Sequence, residues 1–137
     1  MKYLFILVSF LSSIQFSLAA EKAYALQSGD ASLSVAKDGK RLSLQTGNAH
    51  YLSLNAPYVV TLEVNAETLN GYYSSVKEEK ESLVCIAKLK SSHGTLFHVK
   101  DVFTPDTENH FRMDREVTIE KIGKGDDYFN SYFGLTL

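Results

Sequence analysis

Apolar and polar residues alternate with a period of two along most of the chain after residue 20. That period puts successive side chains on opposite faces of a strand, so each run predicts a half-buried β-strand. Ala31–Lys37 carries Leu33 and Val35 on one face, and Arg41–Gln45 carries Leu42 and Leu44. Asp38-Gly39 between them predicts a hairpin closed by a type I′ turn. His50–Leu54 and Tyr58–Val64 alternate likewise, parted by Ala56-Pro57. Ser82–Leu89 sets Leu83, Cys85, Ala87 and Leu89 on one face and Val84 and Ile86 on the other, which predicts a central strand. Thr95–Phe103, Phe111–Ile119 and Tyr128–Leu137 follow, and Glu21–Asp30 supplies an edge strand through Tyr24 and Leu26.

Asn65–Lys80 breaks the pattern. It is expected to hold one helical turn at Ala66–Leu69, a turn at Asn70-Gly71 and a solvated charged stretch at Val76–Glu81, with a short hairpin as the alternative. Seven or eight short strands, with turn signals about every ten residues, predict an all-β fold, an antiparallel β-sandwich. The last run ends on apolar Phe133, Leu135 and Leu137. The sandwich is therefore expected to be an incomplete portion of a larger one.

The first twenty residues change the picture. Lys2, the apolar stretch Tyr3–Ile14 and the small-x-small triplet Ser17-Leu18-Ala19 have the layout of a cleaved signal peptide. Residues 1–20 are thus read as the signal and 21–137 as one β-sandwich domain. The product is expected to be exported, periplasmic or extracellular, with no stable membrane anchor after cleavage. Lys2 is the one charged residue before Glu21, so the net charge of −2 becomes −3 without it. That balance does not favour nucleic acid. Cys85 is the only cysteine and lies in the apolar run Leu83–Ala87, so it is read as a buried, inert thiol.

Chemistry-bearing residues are scattered. His50, His93, His98 and His110 lack the spacing of a metal site, and neither metal nor cofactor is expected. Arg112, Asp114, Glu116, Thr118 and Glu120 share one strand face and read as a solvated polar row. Arg115 lies on the opposite face with Phe111, Met113, Val117 and Ile119, where a charge needs a partner. Asp101 on the preceding strand is the candidate for a structural pair. The alternative is that Arg115 lines a groove and binds an anionic sugar or another carboxylate. Tyr72 and Tyr73, after Asn70-Gly71, are candidate ligand-binding residues for stacking on a carbohydrate; the competing reading makes one of them core and the other surface. No catalytic residue is assigned.

The segment F-H-V-K-D-V-F, a turn, F-R-M-D-R-E-V-T-I, a second turn, and D-Y-F-N-S-Y-F-G-L resembles a pattern in secreted bacterial polysaccharide-degrading enzymes. In these a galactose-mutarotase-like β-supersandwich precedes an (α/α) barrel. The matching positions are Asp101, Phe103, Arg115, Val117, Ile119, Phe129 and Phe133, in the last third of the chain. The resemblance implies a non-catalytic sandwich portion of a glycoside hydrolase or polysaccharide lyase. It would pack on, or shape the cleft of, a catalytic domain missing from this chain. The alternative is a complete small periplasmic β-protein that binds a ligand or a protein partner.

Overall fold

The structure, a computed structural model, describes residues 23–46, 50–54 and 58–132, with the backbone alone for 46 and 50–54. The expected signal peptide and the apolar ending lie outside these residues. The described part is all-β, an antiparallel sandwich of three sheets.

The strands are β1 (Ala23–Ser28), β2 (Ala31–Ala36), β3 (Leu42–Thr46), β4 (His50–Leu54), β5 (Val60–Val64), β6 (Glu67–Gly71), β7 (Ser75–Glu79), β8 (Ser82–Lys90), β9 (Leu96–Pro105), β10 (Phe111–Lys121) and β11 (Phe129–Tyr132). One sheet runs β1-β2-β3-β4, a second β10-β9-β8-β7 and a third β11-β5-β6. β1 packs against β7, β8 and β9, and β6 packs against β8. The second sheet is therefore one layer, and the other two cover it.

Alternation decides which side chains fill the space between the layers. Leu83, Cys85, Ala87 and Leu89 of β8 point inward and are buried, as are Phe97, Val99 and Phe103 of β9. Leu33, Val35 and Leu42 meet them from the first sheet, and Val60, Leu62, Val64 and Leu69 from the third. Residues of opposite parity on β10, such as Arg112, Asp114, Glu116 and Glu120, are exposed. The Arg112–Asp114 pair spans 3.0 Å with both side chains about 60 % exposed, so it adds little stability.

Local expectations give way at the first hairpin and after Asn65. Asp38 does not have positive φ, so no type I′ turn forms. Instead Gly39 N donates to Ala36 O at 2.8 Å and Ala36 N to Arg41 O at 2.9 Å, a longer loop with Gly39 alone at φ 71°. A Cβ at Gly39 would collide with the Tyr73 carbonyl, so this loop seats against Tyr73 only because a glycine is there. The expected helical turn at Ala66–Leu69 is also absent. Asn65 takes φ 51° and reverses the chain, and Glu67–Gly71 becomes β6, paired with β5 from Val64↔Glu67 to Val60↔Gly71. Asn65 tolerates that left-handed conformation because its short amide is satisfied. It accepts from Tyr128 N at 3.0 Å and donates to Gly125 O at 2.8 Å. Asn70-Gly71 is thus strand, not turn.

Candidate functional site

The core-facing row Phe97, Val99, Asp101, Phe103 contains one carboxylate. In register, Val76, Cys85, Asp101 and Arg115 lie side by side across the β7–β10 sheet. Direct cross-strand neighbours on one face have Cβ atoms about 5 Å apart. The pleat thus delivers the Arg115 guanidinium to Asp101. Arg115 Nε donates to Asp101 Oδ1 and Nη2 to Oδ2, both at 2.6 Å. Tyr73 Oη donates to Oδ2 at 2.6 Å. Asp101 is fully buried, and the Arg115 side chain is 9 % exposed. Arg115 Nη1 reaches out of the sheet to Tyr132 O at 2.8 Å and Ser131 Oγ at 3.3 Å, linking β10 to β11.

Electrostatics follow from that packing. Burial alone lowers the Arg115 pKa, but the hydrogen bonds and charge of Asp101 outweigh it and raise it. Burial, then the charge of Asp101, raises the Tyr73 phenol. Burial and Asp101 also push the Cys85 thiol up to about 12. A thiol so held is not a nucleophile near neutral pH. The bidentate pair satisfies a charge that would otherwise be stranded in the core. It offers a substrate no access, so its chemistry is that of a clamp.

A second buried carboxylate, Asp126, lies at one end of the sandwich. Ser91 Oγ donates to Oδ2 at 2.6 Å and Thr95 Oγ1 to Oδ2 at 2.5 Å, and His93 Nδ1 lies 2.8 Å from Oδ1. These bonds, the Ser91 and Thr95 ones first, hold Asp126 down at about 2. Serine, histidine and aspartate are the ingredients of a nucleophilic triad, but the wiring differs. A triad needs its serine on the histidine. Here Ser91 Oγ is engaged by Asp126 and by Thr95 N at 2.9 Å. The cluster ties the β8–β9 turn to the 122–128 loop. Among the described residues no group of three or more His, Cys, Asp or Glu side chains could hold a metal ion.

Tyr72 and Tyr73 part company. Tyr73 is 2 % exposed, points inward and belongs to the Asp101 clamp, so it cannot stack on a ligand. Tyr72 points outward, 39 % exposed, its ring centroid 5.8 Å from that of Tyr58. Arg115 and Asp101 are brought together, and the guanidinium is engaged on Asp101 and the β11 backbone rather than open to an anionic sugar. Tyr58, Tyr132 and Asp126 carry no sequence signal of their own. Tyr72, Glu63 and Ser91, which meet them in turn, lie 14 to 69 residues away in sequence.

The remaining feature is the side of the sandwich along β10. β10 and β11 are both edge strands. Inward-facing Val117 and Ile119 are each 37 % exposed, and nearby Ile122 and Tyr128 are 64 % and 55 % exposed. A hollow of about 250 Å³ lies between the two edges, lined by Leu62, Phe97, Val117, Ile119, Phe129, Asn130 and Ser131. Beyond Arg115, a second hollow of about 220 Å³ is floored by Leu33, Leu42, Leu44, Phe103, Phe111 and Met113. Compared with protein-family models, curated proteins and solved structures, the chain matches none.

Proposed function

We propose that this chain is a non-catalytic β-sandwich portion of an exported carbohydrate-active polypeptide, a glycoside hydrolase or polysaccharide lyase. Its β10 side packs against a further part of that polypeptide. The observation that carries the reading is the uncovered inward row of β10. Val117 and Ile119 face the interior yet are each 37 % exposed at one hollow, and half-buried Met113 lines a second hollow on the other side of Arg115. An apolar row flanked by two strands that are edges among the described residues is where a further strand or domain gains most by docking. Three of the positions behind the family resemblance, Val117, Ile119 and Phe129, line the hollow on this side.

The test is to read the transcript past the codon for Leu137 and to assay the purified chain on glycans. The proposal expects several hundred further codons, rich in helix formers, in frame or after one frameshift, and no turnover by the chain alone. Hydrolysis or β-elimination of any polysaccharide by the isolated chain contradicts it.

A second reading, a complete small periplasmic β-protein that binds a ligand, draws support from one observation. The Tyr58–Tyr72 ring pair stands exposed and lines neither of the two hollows along β10.

A further inference from the structure

The outward face of the β11-β5-β6 sheet combines exposed aromatic rings with uncharged hydrogen-bonding groups. Strand parity places Tyr72, Asn70 and Thr68 of the β6 segment on that face, with Thr61 and Glu63 of β5 and Asn130 and Tyr132 of β11. Register sets Tyr132, Thr61 and Asn70 in one row, and Tyr72 lies one row further on. Tyr72 and Tyr132 are thus about 10 Å apart across the strands and about 7 Å along them.

The Tyr132 ring is fixed in place. Its hydroxyl donates to Glu63 Oε2 at 2.5 Å and accepts from Asn130 Nδ2 at 2.9 Å, both one row away. The ring therefore lies along the sheet with its side chain 47 % exposed instead of standing free in solvent. Thr61 Oγ1 donates to Asn70 Oδ1 at 3.0 Å, which leaves the Asn70 amide nitrogen as a donor for a ligand. The strands of this sheet carry two acidic side chains, Glu63 and Glu67, and no lysine or arginine.

We infer that this face binds a neutral glycan chain, with Tyr72 and Tyr132 as the stacking rings and Asn70, Thr61 and Glu63 as hydrogen-bonding partners of sugar hydroxyls. Three features of the ligand match. A pyranose presents C–H groups on its faces, and the electron-rich face of a tyrosine ring attracts them. Its rim of hydroxyls both donates and accepts, as Asn70 and Thr61 do, while the Glu63 carboxylate accepts. The separation of the two rings suits a short run of linked sugars rather than a single one. A uronate polymer is disfavoured, because this sheet offers it acidic groups and no cation. The inference goes beyond the docking role and does not depend on it, since strand parity sets Tyr72 and Tyr132 on the face opposite Leu62 and Phe129, which line the β10 hollow.

The experiment is affinity electrophoresis of the purified protein in gels containing soluble β-glucan, xylan, galactomannan or starch, with polygalacturonate and alginate alongside. Retardation is expected in at least one neutral gel and in neither acidic one. Tyr72→Ala and Tyr132→Ala should each weaken it by about three- to tenfold, the range for one aromatic contact. Tyr132→Phe retains the ring and frees it from Glu63, and should fall between wild type and Tyr132→Ala. Both tyrosines are exposed, so thermal melts of the variants should match wild type. No retardation in any neutral gel, retardation by the acidic polymers alone, or retention unchanged in the Tyr72→Ala/Tyr132→Ala double variant overturns the inference. Glycan retardation without any downstream coding sequence would sink the docking role and leave this one standing.

Discussion

β8 and β10 belong to one sheet and lie two strands apart, yet they meet opposite fates. The inward residues of β8, from Leu83 to Leu89, are at most 8 % exposed. Those of β10 are half-buried from Phe111 to Arg115 and exposed beyond it, with Val117 and Ile119 each at 37 %. The inward rows do not separate the two strands, since Leu83, Cys85, Ala87 and Leu89 on β8 and Phe111, Met113, Val117 and Ile119 on β10 are all apolar. What separates them is the layer opposite: β1 and β6 pack over β8, whereas among the described strands none packs comparably over β10. Burial is thus a property of the pairing of layers rather than of the strand. The Asp101–Arg115 clamp stands at the boundary, its carboxylate on the closed side and its guanidinium reaching across the open side to β11.

The strongest way to break that boundary is to remove its cation. Arg115→Met leaves Asp101 buried without its charge partner and should cost about 3–5 kcal/mol in urea unfolding. The double variant Asp101→Leu/Arg115→Met should recover most of that loss, because well-packed apolar groups replace a buried pair at little net cost. If the double variant is as unstable as the single one, the pair is more than a charge-neutralising clamp.

A core pair sharpens the contrast next. Leu83→Ala on β8 should cost about 2–5 kcal/mol through lost burial and a residual cavity. Val117→Ala on β10 should cost less than about 1 kcal/mol, since solvent already reaches the site. Equal costs would mean that β10 is covered after all.

The smallest effect concerns the other carboxylate. Asp126 is held at about 2, below the roughly 3.9 of an unfolded aspartate. A depressed carboxylate contributes stability that is fully present above about pH 4 and lost as pH falls toward about 2. Melting temperature followed over that window should fall less steeply in Asp126→Asn than in wild type. Parallel profiles would show that the Ser91, Thr95 and His93 bonds do not stabilise the ionised form.

Much of this was legible in the chain itself. The alternation of β8, β9 and β10 locates those strands to within a residue or two at most ends. The parity of Arg115 against Phe111 and Val117 marks it as an inward charge in need of Asp101. The stretch after Asn65 was not legible, for a physical reason. β6 and β7 send only Leu69 and Val76 into the buried core, so their polar faces dominate the pattern. Asn70-Gly71 has turn composition but is held extended by β5. Tyr73 hides its role because its inward parity becomes visible only once β6 is known to be a strand. The Asp126 cluster joins residues more than 30 positions apart through loops, where no periodicity operates.

Amide hydrogen exchange of the purified protein tests the central contrast most directly. The account predicts slow exchange, set by global unfolding, for hydrogen-bonded amides of β8 and β9, and fast exchange for amides on the free edges of β10 and β11. Uniformly slow exchange across all four strands would contradict it, because it would mean that the open side of the sandwich is already closed.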